Sequence, residues 1–227
     1  MPSILRSSFW HRLATSHPSG FLLGAQLLSL LLYPLMDRSP QGRLLFGGVA
    51  VVVVPLAVWV VNRSPAYNAI GWLLAVPSLV LTLWGVFVGD ERLIIVSASL
   101  EALLYFYAAA GLIAYMLRDV HVTTDELFAA GATFTLLAWG FAYAYYVCQA
   151  IYPGSFSGAV EPERDRTWVE FLFLSFTNLS ATGLGDILPL SAPARVLAML
   201  EQFAGVGYIA AVVSRLIGLT INQQAQK

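Results

Sequence analysis

Seven residues near the C-terminal end of the chain combine unusual backbone freedom with a carboxylate. They are Ser180, Ala181, Thr182, Gly183, Leu184, Gly185 and Asp186. The two glycines alternate with residues that carry side chains, and glycine adopts backbone angles that other residues avoid. This alternation can turn successive carbonyl oxygens toward one axis, which a regular strand cannot do. The spacing therefore favours a backbone that lines the path of an ion.

The composition of the chain is that of an integral membrane protein. Of its 227 residues, 58% are hydrophobic and only 11% are charged, whereas soluble domains carry roughly 25% charged residues. The formal net charge of −1 indicates neither a nucleic-acid partner nor a polybasic lipid anchor. The single cysteine, Cys148, is expected to be a small buried hydrophobe. No paired acids, activated nucleophile or phosphate loop stand in a plausible site, so we expect neither an enzyme nor a cofactor.

Six apolar stretches are candidates for helices that cross a bilayer, which takes about 20 residues. They run approximately over residues 20–36, 44–61, 66–88, 93–117, 125–152 and 194–219. Thr123 and Glu126 have the spacing of a capping box at the start of the fifth stretch. The preceding residues 1–19 carry apolar side chains near helical spacing, which favours a retained interfacial segment over a cleaved signal peptide.

The segment between the fifth and sixth stretches is organised differently. Residues 153–167 are polar and predict an aqueous loop, and the apolar run 168–179 that follows is only about 12 residues long. That run is too short to cross a bilayer and predicts a re-entrant helix. Non-helical backbone at membrane depth is tolerated only where it is buried in protein or lines a water-filled path. The negative C-terminal end of such a helix would stabilise a cation near residues 180–186.

These residues resemble the pore module of bacterial potassium channels, whose selectivity filter reads Thr-Val-Gly-Tyr-Gly-Asp. The last five filter positions are occupied here by Thr182, Gly183, Leu184, Gly185 and Asp186. Beyond the filter, Pro189 matches the proline that commonly follows, Arg195 matches an arginine early in some inner helices, and Gly205 matches the inner-helix hinge glycine. The resemblance covers residues 127–220 approximately and is strongest over 171–218.

The resemblance implies an all-α membrane protein that forms a homotetrameric channel for monovalent cations. Six transmembrane helices would carry a re-entrant pore helix and a filter loop between the fifth and the sixth. K⁺ would bind, as in potassium channels, to backbone carbonyls that replace its water shell. These would be the carbonyls of Ala181, Thr182, Gly183 and Leu184. Asp186 would lie at the outer mouth, where it would hold the filter by hydrogen bonds or attract cations.

Three positions depart from the family pattern. Ala181 stands where the family has a threonine whose hydroxyl helps to form the innermost ion site, and Leu184 replaces a tyrosine whose hydroxyl stiffens the filter. Thr177 occupies a supporting position behind the filter where some relatives carry a glutamate, so it cannot form a carboxyl pair with Asp186. K⁺ conduction is therefore the preferred function. The alternatives are a weakly selective monovalent cation channel, or a non-conducting membrane scaffold or regulatory subunit that retains the pore fold.

The chain is predicted to have four parts. Residues 1–19 are the interfacial segment, 20–120 a four-helix transmembrane domain, 121–220 the pore domain, and 221–227 a short tail without a regulatory domain. No voltage sensor is expected in the first four spans, because the fourth lacks arginines at three-residue spacing. We expect a multi-pass protein of the inner (plasma) membrane with both termini in the cytoplasm. Channel architecture indicates this orientation, since basic residues divide equally between the two sides.

Two intramembrane acids leave alternatives open. Glu101 is a functional candidate, or it snorkels or pairs with a tyrosine such as Tyr105 or Tyr107. Glu201 is expected to support the filter through a buried hydrogen bond between the inner helix and the pore helix. Its alternative role is that of a cavity carboxylate that raises cation occupancy.

Other features have simpler interpretations as well. His121 and Asp125 have i,i+4 spacing, which suits a metal site less well than a solvated loop with a helix cap. Gly205 and Gly207 allow either bending of the inner helix or close helix packing. An aromatic belt at the membrane interface explains Tyr143, Tyr145, Tyr146 and Tyr152.

Overall fold

The described part of the chain is helical apart from two short strands. The computed structural model describes residues 18–36, 68–117 and 123–225. The helices are α1 (Pro18–Met36), α2 (Asn68–Val88), α3 (Glu91–Met116), α4 (Thr124–Ile151), α5 (Trp168–Leu179) and α6 (Ala192–Ala225). The strands are β1 (Phe156–Gly158), between α4 and α5, and β2 (Ile187–Pro189), between α5 and α6. The prediction of an all-helical class is confirmed.

Several of these helices are long and apolar enough to cross a membrane. Within the described ranges there are four, over Ala69–Val88, Glu91–Met116, Thr124–Ile151 and Ala192–Arg215. They coincide with the third to sixth predicted spans. The first predicted span is helix α1, whose apolar part, Pro18–Leu32, is shorter. The second predicted span, 44–61, and nearly all of the interfacial segment 1–19 lie outside the described residues.

Local capping signals explain where α3 and α4 begin. Gly89 has a φ of 75°, which lets the chain turn sharply after α2. The Asp90 carboxylate then accepts a hydrogen bond of 2.9 Å from the backbone N–H of Arg92 and caps α3. At the start of α4, the Thr123 hydroxyl accepts a hydrogen bond of 3.3 Å from the N–H of Glu126, as its predicted capping role requires.

Helix α4 lies at the centre of the described structure and α6 lies at its edge. Helix α4 packs against α1, α3, α5 and α6, whereas α2 packs against α3. In the apolar window of α4, 61% of the residues are buried, compared with only 17% in that of α6. The single chain therefore leaves most of α6 free to contact lipid or other chains.

A two-stranded antiparallel ladder joins the segments that flank α5. Phe156 pairs with Pro189 and Gly158 pairs with Ile187. One further backbone bond extends the ladder at its far end, from the N–H of Ala159 to the carbonyl of Asp186, at 2.8 Å. The sequence predicted only an aqueous loop over residues 153–167. The loop in fact carries the strand that fixes the chain where it leaves residues 180–186.

Glu101 is paired with hydroxyl groups of neighbouring residues. It is 2% exposed and accepts hydrogen bonds from the hydroxyls of Thr82 at 3.0 Å and Ser97 at 3.4 Å. The Tyr143 hydroxyl on α4 also donates a hydrogen bond to the carboxylate. The expectation of a tyrosine partner is therefore confirmed, but Tyr105 is not that partner, since its hydroxyl has no hydrogen bond in the described structure. Glu101 thus joins α2 to α3.

Asp125 caps a neighbouring helix. Its carboxylate accepts hydrogen bonds from the backbone N–H of Ser19 at 3.1 Å and from the Ser19 hydroxyl at 3.0 Å. Ser19 lies in the first turn of α1, where backbone N–H groups have no partner within the helix. Asp125 is 7% exposed, so the prediction of a solvated loop is wrong at this residue. His121 lies outside the described residues, and the described ones contain no His, Cys, Asp and Glu cluster suited to a metal.

The tyrosines of α4 do not form a common aromatic belt. Tyr143 and Tyr145 are 8% and 0% exposed, and the ring of Tyr143 stacks on that of Tyr105 with centroids 5.7 Å apart. The belt interpretation is therefore wrong for these two residues, which belong to the core. Cys148 is buried, as expected.

Candidate functional site

A complete capping box fixes the N-terminal end of α5. The Thr167 hydroxyl accepts a hydrogen bond of 3.3 Å from the N–H of Glu170, and the Glu170 carboxylate accepts one of 2.7 Å from the N–H of Thr167. Arg164 donates a further bond of 2.9 Å to Glu170. Partial burial alone would raise the pKa of Glu170, but the hydrogen bonds from Thr167 and Arg164 outweigh it and lower that pKa below its usual value. Sequence analysis missed this box, although Thr167 and Glu170 have the required spacing.

Arg166 organises the loop that leads into α5. Its side chain is buried, and the guanidinium donates hydrogen bonds to the carbonyls of Val160, Glu161 and Arg164. The backbone of Arg166 also exchanges two hydrogen bonds, of 2.9 and 3.1 Å, with the Gln149 side chain on α4. A Cβ atom on Gly158 would collide with the guanidinium, so a side chain there would displace Arg166 from its hydrogen bonds. The sequence indicated Arg166 only as one charge in an aqueous loop.

One backbone carbonyl at the C-terminal end of α5 holds the residues that follow. The carbonyl of Thr177 accepts hydrogen bonds from the N–H groups of Thr182 at 2.9 Å and Gly183 at 3.1 Å. The Ser180 hydroxyl donates a third bond, of 3.3 Å, to the same oxygen. The Thr177 hydroxyl instead donates to the carbonyl of Leu174 at 2.8 Å. Thr177 thus contacts residues 180–186, hereafter the 180–186 loop, through its backbone and not through its side chain.

Residues with left-handed backbone angles alternate with other residues along the 180–186 loop. Ala181, Gly183 and Gly185 have φ angles of 57°, 58° and 75°, all in the left-handed region. This conformation costs about 1–2 kcal/mol for a residue with a side chain, and it is a genuine outlier for a β-branched one. This backbone therefore disfavours a threonine at position 181, where alanine stands.

The carbonyl oxygens of this loop are available to a ligand. Among residues 18–36, 68–117 and 123–225, none donates a hydrogen bond to the carbonyls of Ala181, Thr182, Gly183 or Leu184. All seven loop residues are exposed in the single chain. Exposed carbonyl oxygens that no protein donor occupies can exchange their water for a cation, so these oxygens form a candidate binding surface for a cation.

Glu201 connects three helices directly behind this loop. It is 0% exposed and accepts hydrogen bonds from the Tyr145 hydroxyl on α4, the Ser175 hydroxyl on α5 and, at 3.1 Å, the Asn178 amide on α5. A carboxylate that is fully buried and accepts three hydrogen bonds from neighbouring helices does not face an open cavity in the single chain. The geometry therefore agrees with a buried hydrogen bond between α6 and α5 and not with a cavity carboxylate.

Gly205 packs α6 against the last residue of α5. A Cβ atom built on Gly205 would lie 2.6 Å from the Cα atom of Leu179 and closer still to the Leu179 carbonyl oxygen. A Cβ on Gly207 would meet no atom within 4 Å. The structure therefore supports the interpretation of Gly205 as a site of close helix packing. Its role as a hinge of the inner helix stays a prediction.

Comparison with known families decides the identity of this arrangement. A family model described as an ion channel matches residues 102–222, which is more than half of the chain. The matched range contains α4, α5, the 180–186 loop and nearly all of α6. The chain belongs to this ion channel family. The resemblance to potassium-channel-like proteins is confirmed, and the chain is a channel subunit rather than an enzyme. Neither a curated protein nor a solved structure matches it.

The remaining residues that the sequence singled out lie beside the loop of this channel. The backbone of Asp186 is held by Ala159, whereas its exposed carboxylate receives no hydrogen bond from any residue that the structure describes. Arg195 donates a hydrogen bond of 3.2 Å to the carbonyl of Pro189. Pro189 and Arg195, assigned separately from the sequence, therefore act together where α6 begins.

The sequence missed the partners of Glu201. Ser175 and Asn178 lie three residues apart in an otherwise apolar run, and side chains at i and i+3 share one face of a helix. That spacing is the signal that could have found them. Tyr145 carried no such signal, because it is one of several tyrosines in α4 and only packing selects it.

Proposed function

We propose that the chain is the subunit of a homotetrameric channel that conducts K⁺ passively. In this proposal the carbonyls of Ala181, Thr182, Gly183 and Leu184 coordinate dehydrated K⁺, as in potassium channels, and no cofactor takes part. The observation that supports it best is the 180–186 loop, in which left-handed residues alternate with others and four consecutive carbonyls lack donors from the described chain. A row of carbonyls replaces a hydration shell only if no protein donor occupies it.

The exposed surface of the single chain supports a closed ring of subunits. One loop supplies one wall of an ion site, so several copies around an axis are needed to surround the ion. Large apolar side chains on α6 are exposed, including Phe203 at 82% and Met199 at 59%, and Leu184 in the loop is 60% exposed. Identical chains close most simply by rotational symmetry, and the family resemblance favours four.

The topology proposed for this tetramer follows the sequence prediction. Each chain has six spans, and α5 is a re-entrant pore helix that ends at the 180–186 loop. Residues 20–120 form the four-helix domain, 121–220 the pore domain, and 1–19 and 221–227 the flanking segments. Both termini lie in the cytoplasm and the protein resides in the plasma membrane. The exposed Asp186 carboxylate lies at the outer mouth and attracts cations.

Three further residues have supporting roles in this proposal. Thr177 holds the loop through its carbonyl, Glu201 fixes α6 to α5, and Gly205 lets α6 bend for gating. The close contact between Gly205 and Leu179 means that such bending must carry the end of α5 with it.

Weak selectivity among monovalent cations is the second candidate function. It is favoured by two side chains of the loop. Ala181 supplies no hydroxyl to an innermost ion site, and Leu184, unlike tyrosine, has no hydrogen-bonding group.

Flux through liposomes that contain the purified full chain tests both candidates. We expect K⁺ flux well above Na⁺ flux under matched gradients. Gly183→Val places a β-branched residue at a φ of 58° and should reduce K⁺ flux at least about tenfold, since such a conformation is strongly disfavoured. Gly24→Val is the matched control, because a Cβ on Gly24 meets no atom within 4 Å.

The possible outcomes separate the candidate functions. Equal K⁺ and Na⁺ flux would favour a weakly selective channel. No flux of either ion from correctly assembled wild-type protein would refute conduction and favour a scaffold or regulatory subunit. Normal flux through Gly183→Val would remove the 180–186 loop from the proposed path.

A further inference from the structure

The 180–186 loop contains a pair of hydroxyl groups that coordination of an ion by its carbonyls does not require. The hydroxyls of Ser180 and Thr182 lie 2.8 Å apart, and the Ser180 hydroxyl donates to the carbonyl of Thr177. A hydroxyl has one proton to donate. Either hydroxyl can donate in the bond between them. With the Ser180 proton directed to Thr177, the bonds run in one direction, from Thr182 to Ser180 and on to the end of α5.

This relay ends on the same oxygen that holds the loop backbone. The carbonyl of Thr177 also accepts the N–H groups of Thr182 and Gly183. Thr182 is thus tied to α5 twice, directly by its N–H and indirectly by its hydroxyl. Consecutive hydrogen bonds polarise one another, so a relay is stronger than its separate bonds. The orientation of the peptide units on either side of Thr182 depends on these contacts.

The other side chains of the 180–186 loop form no hydrogen bonds to described residues that would stiffen it. Leu184 has no hydrogen-bonding group and is 60% exposed. The Asp186 carboxylate receives no hydrogen bond within the described ranges. Ser180 and Thr182 are the two loop residues whose side chains hydrogen-bond in the described structure, and both bonds lie at the end nearest α5.

We propose that the hydroxyls of Ser180 and Thr182 are positioning groups that set the selectivity of this channel. They hold the carbonyls of Ala181 and Thr182 at the spacing that suits K⁺ and resist the contraction that Na⁺ would require. The inference rests on the proposed function of the loop as a K⁺ filter. It assigns a role in selectivity to two side chains whose oxygens need not touch the ion.

Replacement of Thr182 by valine and by serine tests the proposal in the full-length protein. Thr182→Val keeps the shape of the side chain and removes the hydroxyl, whereas Thr182→Ser keeps the hydroxyl. Potassium channels carry valine at this filter position together with the stiffening tyrosine that Leu184 replaces, so the Thr182 hydroxyl matters where that tyrosine is absent. We expect the ratio of K⁺ to Na⁺ flux to fall about fivefold in Thr182→Val, as loss of one net hydrogen bond of about 1 kcal/mol predicts, and to stay near wild type in Thr182→Ser. Ser180→Ala breaks the relay at its centre and should match Thr182→Val.

Matched controls replace hydroxyls that bond only within their own helices. Ser29 donates to the carbonyl of Ala25 at 2.7 Å, and Ser99 donates to that of Ile95 at 2.9 Å. Ser29→Ala and Ser99→Ala should leave the flux ratio unchanged. A fall in total flux with an unchanged ratio in Thr182→Val would indicate a merely structural role and overturn the proposal.

Hydrogen exchange separates this proposal from that of K⁺ conduction. The amides of Thr182 and Gly183 should exchange about fivefold faster in Thr182→Val than in wild type, by the same reasoning. This result does not depend on conduction. Unchanged exchange would refute the relay. Suppose instead that exchange is faster in Thr182→Val, but that the wild type conducts K⁺ and Na⁺ equally or conducts neither ion. The relay would then stabilise the loop without setting selectivity, and the proposed K⁺ selectivity would be refuted as well.

Discussion

The two ends of helix α5 are held by different kinds of interaction. At the N-terminal end, charged and exposed groups dominate, with Arg164 and Glu170 around the Thr167 cap. At the C-terminal end, the contacts of Glu201 are buried and include no side-chain cation, and the carbonyl of Thr177 holds the loop residues that follow. Exposed ion pairs contribute about 0–1 kcal/mol, whereas a buried polar group left without a partner costs about 1–3 kcal/mol. The end that carries the 180–186 loop is therefore the end fixed most firmly.

The largest effect expected from this difference follows removal of the Glu201 carboxylate. Glu201→Ala leaves Tyr145, Ser175 and Asn178 without their acceptor and opens a cavity, so the free energy of unfolding should fall by about 3 kcal/mol or more. Thermal unfolding of the purified channel in detergent measures this change. Glu163→Ala is the matched control, because Glu163 is exposed. Glu201→Gln retains one acceptor oxygen and should lie between the two.

A small effect of Glu201→Ala would contradict the conclusion that the C-terminal end of α5 is the more firmly fixed end. If its loss of stability were no larger than that of Glu163→Ala, the three hydrogen bonds could not be the contacts that fix the C-terminal end of α5.

Overpacking at Gly205 should have the next largest effect. The added methyl of Gly205→Ala would overlap the backbone of Leu179, which cannot rotate away as a side chain can, so we expect a loss of about 1–3 kcal/mol. Gly207→Ala should be neutral or stabilising by about 0.5–1 kcal/mol, because it meets open space within a helix. Unfolding temperatures of both variants check the prediction. Equal tolerance at the two positions would show that α6 does not rest on Leu179.

At the N-terminal end of α5, only a substitution of Arg166 should lower the free energy of unfolding by an amount close to that of Glu201→Ala or Gly205→Ala. Arg166→Ala removes the donors that bind three loop carbonyls around a buried guanidinium, and we expect a loss of about 2 kcal/mol. Arg166→Lys should restore little, since one ammonium cannot reproduce a planar fork of donors. Arg164→Ala, at a side chain 44% exposed, is the control and should change stability by about 0–1 kcal/mol. Limited proteolysis within residues 158–166 reports the loosening directly. Equal effects of Arg164→Ala and Arg166→Ala would show that the buried Arg166 guanidinium does not stabilise the loop more than an exposed arginine does.

How far the sequence anticipated each end of α5 follows from the kind of signal involved. The bounds of α5 were predicted correctly, because length and apolarity identify a 12-residue run between polar loops. The capping box could also be found, since its signal is local spacing. The pairing of β1 with β2 could not, because three-residue strands are too short to show alternation. The left-handed φ of Ala181 could not be predicted either, since among the residues of this loop only glycine indicates such a backbone conformation.

The partners of Glu201 mark the limit of sequence reasoning. A buried acid in an apolar helix predicts some hydrogen-bond donor, and that expectation placed Glu201 against α5. The choice of Tyr145 over the other tyrosines of α4 depends on helix packing, which one sequence does not encode locally.

The smallest predicted effect is a dependence of stability on pH at the N-terminal end of α5. The pKa of Glu170 is lowered in the folded state, so the folded state binds the proton more weakly than the unfolded chain does. The resulting stabilisation is fully present above the unfolded pKa of about 4.3. It is lost as the pH falls further through the folded pKa. Unfolding temperatures measured between pH 7 and pH 3 should therefore fall more steeply for wild type than for Glu170→Gln, which has no proton to gain.

Glu163→Gln supplies the control for this titration, because Glu163 is an exposed acid of the loop that precedes α5. It should follow the wild-type curve, which isolates the contribution of the hydrogen bonds from Thr167 and Arg164 to Glu170. If Glu170→Gln and Glu163→Gln gave the same acid sensitivity, the carboxylate of the capping box would contribute no more than an ordinary surface charge. The contrast between the two ends of α5 would then be larger still, because the buried C-terminal contacts alone would hold the helix.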